Sequence, residues 1–323
     1  MARSFGSDLV DFGIDRSSRK GQVCQANTDF IIKMSQIKIE LKNVNYIYGQ
    51  NTPFMIKALD DINIGIESSK VTGIIGHTGS GKSTLVRLFN GLERPTSGQV
   101  LLDGLDIWEN PKKIGDVRFK VGLVMQYPEY QLFEETIRAD IGFGPRNMGL
   151  SKEEIDARVE EAAELVGLDK ELLDRSPFDL SGGEKRRAAI AGVIAMRPDV
   201  LVLDEPAAGL DPRGRNVIFE CIKHYKAHTS ATVIIVSHSM EDMAAVCDNL
   251  IVMSKSRIFL SGSCDEIFSH SEELPKIGLD VPQITRLTDI LAERGVLEGK
   301  SIYTVDEAEK QILEMFERKN ITD

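Results

Sequence analysis

The sequence lacks any apolar run of 18 residues, which excludes a typical membrane-spanning helix, and its first residues lack the apolar core of a signal peptide. It also lacks an excess of positive charge. Its 323 residues include 39 Lys and Arg against 50 Asp and Glu, a formal net charge of -11 at pH 7. Because a protein that binds nucleic acids regardless of sequence needs a basic surface, this balance argues against that class.

Cysteine is scarce as well. The chain has four cysteines, Cys24, Cys221, Cys247 and Cys264, and none of them forms a C-x-x-C pair. This usage predicts free thiols in a reducing cytosol rather than a disulfide framework. The remaining composition, with 42% hydrophobic and 28% charged residues, is that of an ordinary globular protein.

The chain divides into three predicted segments. Residues 1–33 are polar and without periodicity, residues 34–274 form a main domain with a helical subdomain at about 127–180, and residues 275–323 form a small C-terminal helical extension. Two interpretations of residues 1–33 remain open: a disordered tail, or a start of translation at Met34, where the alternating segment MSQIKIELKNV begins. We favour the second because these residues carry no motif.

Helices and strands alternate along the main domain, which predicts an α/β fold. Short apolar runs at 71–75, 121–125, 200–203 and 232–236 predict buried strands, and residues 249–260 predict a terminal pair of strands. Ser151 and Glu154 form a capping box that opens a helix, with Gly167 as its C-terminal cap. Further helices are predicted at about 184–196, 284–294 and 304–316, the last opened by Thr304 and Glu307.

The segment GHTGSGKST lies between the strand predicted at 71–75 and apolar residues at helical spacing, Leu85, Leu88, Phe89 and Leu92. It matches the pattern G-x-x-x-x-G-K-[ST] from Gly76 to Ser83. Glycines in such a loop let backbone N–H groups surround an anion, and the helix start adds positive potential. Lys82 and Ser83 are the residue types that contact the β- and γ-phosphates and Mg²⁺. The segment therefore predicts nucleotide binding rather than a ligand-free turn.

Two carboxylates, Asp204 and Glu205, stand at the end of the strand predicted at 200–203. Ligands of open parallel sheets bind at this end of the strands. Asp204 suits Mg²⁺, directly or through water, and Glu205 suits the activation of a water for attack on the γ-phosphate. An acidic junction without function is the alternative, and the preceding phosphate loop argues against it.

The segment LSGGE opens the helix predicted at 184–196. Ser181 and Glu184 form a capping box, but that does not explain Gly182 and Gly183, which cost stability in a first turn. Bare backbone at a helix N-terminus makes a second anion site. Two separate phosphate sites in one chain suggest that they meet only between two copies.

These motifs and their order resemble the nucleotide-binding domain of ABC transporters over about residues 37–274. The matching positions are Walker A at 76–83, the Q-loop at Gln126, the signature loop at 180–184, Walker B at 200–205, the D-loop at 208–211 and the switch histidine at His238. The resemblance implies an α/β P-loop NTPase of the ABC ATPase type, a mixed sheet core with an inserted helical subdomain, and ATP and Mg²⁺ as ligands.

The resemblance also implies roles for individual residues. Nucleotide contacts are implied for Tyr48, which would stack on adenine, and for Gly76, His77, Thr78, Gly79, Ser80, Gly81, Lys82, Ser83, Thr84, Gln126, Ser181, Gly182, Gly183 and Asp211. Ser83, Gln126 and Asp204 would surround Mg²⁺. Glu205 would be the general base, with His238 sensing the γ-phosphate and Lys82 completing the catalytic group. Tyr46, on the same strand face, is the alternative to Tyr48.

A narrower resemblance involves TPFMIKALDDINI, QYPEYQLFEETIRADIGFGPRNMG, SPFDLSGGEKRRAAIAGVIAM and GLDVPQITRL. These segments are similar to the ATP-binding subunit of energy-coupling factor transporters, which take up vitamins and transition-metal ions. GHTGSGKST and QITRL point to the second of its two ATPase types. The sequence departs from the common pattern at Glu184, where Gln is commonest in ABC proteins, and at Ala207 and Ala208, which replace Thr-Ala or Ser-Ala.

The partners implied by the resemblance are a second, related ATPase subunit, a transmembrane coupling subunit and a substrate-binding membrane subunit, with no nucleic acid. A heterodimer is expected and a homodimer is the runner-up, both peripheral on the cytoplasmic face of the cell membrane. Three alternatives are an ATPase of another ABC importer, a non-transport ABC switch and an inert nucleotide-binding subunit. A single cassette without sustained heptads disfavours the switch, and Glu205 and His238 disfavour the inert subunit.

Two apolar groups predict contact surfaces. Near Gln126, a membrane partner is expected at Tyr127, Pro128, Tyr130, Leu132 and Phe133, although Leu132 and Phe133 suit the core of the subdomain equally well. In the last helix, a stripe for dimer contact is expected at Ile312, Met315 and Phe316. The alternative is that this stripe packs on its own domain.

Overall fold

The computed structural model describes residues 37–270, 272–297 and 302–320, and the side chains of its last helix as far as Phe316. Cys24, the segment 1–33 and the proposed start at Met34 lie outside these ranges. The other three cysteines are free thiols, as predicted.

The strands of the described residues are, in chain order, β1 (Ile37–Tyr48), β2 (Ile56–Glu67), β3 (Val71–Gly76), β4 (Ser97–Leu102), β5 (Leu105–Asp106), β6 (Val121–Val124), β7 (Val200–Asp204), β8 (Thr232–Val236), β9 (Asn249–Ser254) and β10 (Arg257–Ser263). The α-helices are α1 (Lys82–Phe89), α2 (Ile114–Lys120), α3 (Ile137–Ile141), α4 (Phe143–Asn147), α5 (Lys152–Leu165), α6 (Gly182–Ile194), α7 (Pro212–His228), α8 (Met240–Val246), α9 (Cys264–Phe268), α10 (Gln283–Glu293) and α11 (Val305–Asn320). No helix among the described residues is long and apolar enough to cross a bilayer.

A six-stranded sheet has the order β10-β9-β3-β8-β7-β6, in which β10 is antiparallel to β9 and the other neighbours are parallel. Every residue of β3, β7 and β8 is buried, because helices or the second sheet cover both faces. The carboxyl ends of β3, β6, β7 and β8 consequently share one edge, and the residues that follow these strands lie near each other.

The second sheet is antiparallel, with the order β2-β1-β4-β5. A register shift between Leu41 and Val44 interrupts β1, and Asn43 there has a φ of +49°. In a regular strand, Val44 would face away from Leu41, because it lies three residues further along the chain and side chains alternate. The register shift returns Val44 to the buried face that Ile39 and Leu41 share.

Side chains of the parallel strands alternate between two apolar cores. Leu201 and Leu203 face the core under the helical segment, whereas Val200 and Val202 face the core shared with α1 and the antiparallel sheet. The carboxyl edge of the parallel strands is therefore fixed from both sides, and truncating Leu203 to alanine would cost about 2–5 kcal/mol.

The helical segment between β6 and α6 runs through α3, α4 and α5, with 3-10 turns at Pro128–Gln131, Lys170–Leu172 and Pro177–Asp179. Ser151 and Glu154 make both hydrogen bonds of the predicted capping box. Gly167, just beyond α5, has a φ of +65°, as expected of its capping role.

Two predicted helix boundaries were wrong by a few residues. Helix α6 begins at Gly182 rather than Glu184 and ends at Ile194, because its cap is Ser181 and its two glycines adopt helical geometry. Helix α1 ends at Phe89, so Leu92 lies beyond it and is 46% exposed rather than packed on the helix face.

The C-terminal extension has a small apolar cluster of its own, formed by Leu297, Ile302 and Ala308. Ile312 and Met315 pack against this cluster, whereas Phe316 is 55% exposed. Most of the predicted stripe therefore faces its own domain, and a different exposed pair, Leu313 with Phe316, lies on α11.

Candidate nucleotide-binding site

The phosphate loop connects β3 to α1. Gly79 and Gly81 have φ values of +81° and +104°, a region that side chains other than glycine rarely adopt. A Cβ on Gly81 would come within 2.5 Å of the Ala58 carbonyl, whereas a Cβ on Gly79 would meet no atom within 4 Å. Gly81 is thus required by packing as well as conformation, and Gly79 leaves the mouth of the loop open to a ligand.

Lys82 lies in the centre of this loop. Its Nζ donates to the carbonyl oxygens of Gly76 at 2.6 Å and His77 at 3.2 Å. Burial lowers the pKa of this lysine, and the nearby carboxylates of Glu205 and Asp204 partly oppose that effect. The ammonium is therefore held among backbone atoms, where a phosphate group would stabilise its charged form.

Ser80 provides a test of whether the loop fits a phosphate. Its hydroxyl is fully buried and has no hydrogen-bond partner among the described residues. A buried hydroxyl without a partner is costly, since it has lost its water contacts. Phosphate oxygens would satisfy this donor, so the loop suits a nucleotide.

Ser83 and Asp204 join the loop to the end of β7. Burial raises the pKa of Asp204, and the neighbouring Ser83 hydroxyl partly offsets the effect. Gln126 follows β6, the neighbour of β7, and its side chain is exposed. These oxygen groups are of the type that Mg²⁺ prefers.

Glu205 and His238 meet across the ends of β7 and β8. The Glu205 carboxylate accepts from Nδ1 of His238 at 2.9 Å. Because a carboxylate only accepts, Nδ1 must carry the proton. Glu205 has a left-handed φ of +52°, and its N–H donates to the Val236 carbonyl at 2.9 Å. A non-glycine residue in this conformation is costly unless its surroundings hold it, and such residues are concentrated at functional sites.

The two candidate adenine residues have different environments. The Tyr48 hydroxyl shares a hydrogen bond of 3.1 Å with Thr84 at the end of the phosphate loop. Tyr46 instead donates to Glu93 at 2.5 Å and packs against the core, and this burial and hydrogen bond raise its pKa. The geometry favours Tyr48, because Tyr46 is occupied away from the loop.

The signature loop caps α6 with its own side chains. Ser181 donates through Oγ to Glu184 Oε2 at 2.6 Å and accepts from the Glu184 N–H at 3.4 Å, and this hydrogen bonding lowers the pKa of Glu184. A Cβ on Gly182 or Gly183 would meet no atom within 4 Å. The first turn of α6 therefore presents bare backbone to open space.

Some predicted site residues do not come together in the described chain. Lys82, Ser83, Asp204, Glu205 and His238 share one edge of the sheet. No hydrogen bond between described residues joins that group to the signature glycines. Asp211 caps α7 instead, where its carboxylate accepts from the Gly214 N–H at 2.7 Å.

The sequence reasoning missed one pair of charged residues close to this site. Arg186, on α6, is only 1% exposed and binds Glu129 in the segment after Gln126. The signal was present in the sequence: Arg186, Ile190 and Ile194 recur at four-residue spacing, which places the arginine on the buried face of the helix.

The fold and the site define a P-loop ATPase of the ABC type: a phosphate loop after β3, adjacent carboxylates after β7 and a helical segment that carries the signature loop. The family model for ABC transporters matches residues 59–208. The energy-coupling factor transporter ATP-binding protein EcfA2 of Clostridium acetobutylicum is 54% identical over 280 residues, covering 86% of this chain and 98% of that protein. The chain therefore belongs to the energy-coupling factor transporter ATP-binding proteins.

Other comparisons agree with this assignment. The protein of the same name from Caldanaerobacter subterraneus subsp. tengcongensis is 52% identical over 275 residues, covering 85% of this chain and 96% of that protein. Among solved structures, cbiO1 from Clostridium perfringens, part of the ABC transporter complex cbiONQ, superposes with a TM-score of 0.68 and 38% identity over 79% of this chain and 99% of that one. The dimeric ATP-binding cassette MJ0796, bound to ADP and Pi, has a TM-score of 0.63 and 26% identity over 70% of this chain and 98% of its own.

Proposed function

We propose that this chain hydrolyses ATP as a subunit of an energy-coupling factor transporter and so powers uptake of vitamins or transition-metal ions across the cell membrane. The observation that carries the proposal is the Glu205 carboxylate, held 2.9 Å from His238 at the sheet edge that ends in the phosphate loop. The names of the relatives support the transporter assignment.

The residues present suit in-line attack of water on the γ-phosphate. Glu205 accepts the proton of the attacking water, the bond between the γ-phosphorus and the β–γ bridging oxygen breaks, and ADP and phosphate leave. His238 keeps the carboxylate in place through its Nδ1 proton. Ser83, Gln126 and Asp204 would hold Mg²⁺, which would supply positive charge to the phosphate oxygens.

The open first turn of α6 supports a composite site. A Cβ on Gly182 or Gly183 would meet no atom within 4 Å, so the first turn leaves room for the γ-phosphate of a nucleotide bound to a second subunit. We assign that role to a related ATPase in a heterodimer, with a homodimer as the runner-up. The dimeric state of MJ0796 supports pairing of this kind.

The membrane partners would dock near Gln126. Tyr130 and Phe133 are 83% and 65% exposed, whereas Leu132 packs in the core and Pro128 is buried, so the exposed pair suits a membrane subunit. The ATPase would then be peripheral on the cytoplasmic face, with residues 34–274 as its ATP-binding domain and 275–323 as an accessory extension. Purification from membranes, with identification of co-purifying integral proteins, tests this assignment against another ABC importer or a non-transport switch.

The sharpest test of hydrolysis is Glu205→Gln, which keeps shape and hydrogen bonding but removes the base. ATP binding should persist while turnover falls by on the order of 10²–10⁴-fold. Glu164→Gln, an exposed position on α5, is the matched control and should hydrolyse ATP normally. Near-normal turnover in Glu205→Gln would refute the assignment of the base.

A further inference from the structure

Arg186 is a charged side chain in the interior, and its hydrogen bonds to described residues go to two loops, one after Gln126 and one after Glu205. Its guanidinium donates twice to the Glu129 carboxylate, at 2.9 and 2.5 Å. It also donates to the carbonyl oxygens of Pro206 at 3.2 Å and Ala208 at 2.7 Å. Three segments therefore meet at one side chain: the loop after Gln126, the helix of the signature loop and the loop after Glu205.

Two apolar residues in place of Arg186 and Glu129 would often cost no stability, because the lost hydration of two buried charges can exceed their attraction. The pair is consequently poor evidence for stability. Its geometry is specific, however: a two-point contact between guanidinium and carboxylate fixes relative orientation, and the remaining N–H groups hold two backbone carbonyls. The ion pair of Arg186 and Glu129 therefore fixes the position of the loop after Glu205.

Tyr127 makes a second connection between the same loops. It has a left-handed φ of +55°, and its ring centroid lies 5.9 Å from the Arg186 guanidinium carbon. A Cβ on Gly209 would lie 3.5 Å from the Tyr127 ring, so the ring covers the loop that follows Glu205. Movement of the segment after Gln126 would therefore be transmitted to the loop after Glu205 through two contacts, the ion pair of Arg186 and the ring of Tyr127.

The outer end of this segment is anchored as well. The N–H groups of Phe133 and Glu134 donate to the Asp140 carboxylate at 3.1 and 3.0 Å. Between these anchors and Glu129, Tyr130 projects into solvent. A partner that bound to residues 130–133 would thus contact a segment that the ion pair of Glu129 and Arg186 connects to the protein interior.

We propose that Arg186 is a positioning residue that makes the hydrolytic position of Glu205 depend on the segment 127–134. The proposal rests on the hydrolytic role of Glu205 given above. Glu205 occupies a costly backbone conformation, and the carbonyls held by Arg186 belong to the first and third residues after it. Without that hold, residues 205–208 relax and the carboxylate leaves its place beside His238.

The test uses Glu129→Gln, Arg186→Met and the double variant, each in the complete transporter complex as purified from membranes. Glu129→Gln keeps the shape of the side chain and removes the charge. Steady-state ATP hydrolysis, the Kd for ATP and the Tm are measured for each. We expect kcat to fall at least tenfold with KM and Kd for ATP within twofold of wild type, and the double variant to be no slower than the slower single variant.

The matched control is Asp174→Asn, which breaks the ion pair between Arg138 and Asp174 in the same helical segment. That pair has a 2.9 Å contact but is exposed, so kcat should stay within twofold of wild type. A fall in Tm with unchanged kcat, or loss of ATP binding in Glu129→Gln, would overturn the proposal, because either result makes the pair a structural contact only.

Failure of this inference and failure of the proposed function give different results. If Glu205→Gln still hydrolyses ATP, the assignment of the base is wrong. If Glu205→Gln is inactive while Glu129→Gln and Arg186→Met have normal kcat, the function stands and Arg186 has no positioning role. If the fold reductions in kcat of Glu129→Gln and Arg186→Met multiply in the double variant, the two residues act independently. That result would also contradict the proposal.

Discussion

The N-termini of α1 and α6 both present backbone N–H groups, yet they differ in what surrounds them. At α1, the Lys82 ammonium, the buried Ser80 hydroxyl and the side chains of Ser83 and Asp204 lie at the first turn. At α6, the Ser181 hydroxyl donates to Glu184 of its own capping box, and a Cβ on either glycine would meet no atom within 4 Å.

The contrast shows that helix polarity alone does not make a complete site. Both first turns offer unpaired N–H groups and the positive end of a helix dipole. The turn of α1 also has beside it the Lys82 ammonium, the oxygen groups of Ser83 and Asp204, and Glu205, which we propose as the general base. The difference supports our proposal that the turn of α6 forms one wall of a site whose other wall belongs to another molecule.

The largest effect is expected from a mixed dimer. Lys82→Ala, or its equivalent, is placed in one subunit and Ser181→Arg, or its equivalent, in the other. If ATP lies between Lys82 of one subunit and Ser181 of its partner, both changes fall in one composite site and the other stays intact. ATP should then be trapped at one site per dimer, as counted with labelled nucleotide.

The controls for the mixed dimer are the wild-type pair and the dimer with both changes in one subunit. The second control damages both composite sites, because each site then loses one wall. Loss of all trapping in the mixed dimer, while the wild-type pair traps normally, would show that each subunit closes its own site.

Two capping boxes of the same form provide a second comparison. Ser181→Ala and Ser151→Ala each remove one cap hydroxyl and should each lower the free energy of unfolding by about 1 kcal/mol. Only Ser181→Ala should also slow ATP hydrolysis, by on the order of 10²-fold, because in the proposed composite site the hydroxyl would turn from Glu184 to the transferring phosphate. Equal hydrolysis rates in the two variants would reduce Ser181 to a helix cap.

A smaller effect, on the affinity for ATP, is expected from the residue that would stack on adenine. Tyr48→Ala should weaken ATP binding by about tenfold, because it removes an aromatic stacking partner, and should leave binding of inorganic triphosphate unchanged. Competition titrations against both ligands measure this. If Tyr46→Ala shows the selective loss instead, the adenine residue has been assigned to the wrong tyrosine.

The sequence was sufficient to predict those elements that depend on residues close together in the chain. The buried strand at 232–236 was predicted with its observed bounds, because β-branched residues without polar neighbours have few other uses in a globular chain. The capping box of Ser181 and Glu184 was also predictable, since it depends on residues three apart. The chemistry of the phosphate loop follows in the same way from one short segment.

Contacts between distant segments were beyond that reasoning. Arg186 meets Glu129 and Pro206 because two loops and a helix converge, and no spacing in the sequence encodes that convergence. The burial of Leu132 and Phe133 could not be predicted either. Leu132 packs against the core, while Phe133 is exposed. Adjacent residues on a short irregular segment have no fixed period, so neither face could be assigned in advance.

The smallest expected effect concerns the C-terminal extension, which we propose supports dimer contact rather than chemistry. Truncation after Leu274 is a poor test, because it would also remove Leu279 and Val281 from the main core. Leu313 and Phe316 are exposed and one turn apart on α11, so replacing both by glutamate should spare the fold. The Kd of the dimer should rise on the order of fivefold, about 1 kcal/mol, with Tm unchanged. Glu309→Gln, exposed on the same helix, is the control, and an unchanged Kd in the double variant would mean that this helix serves only its own domain.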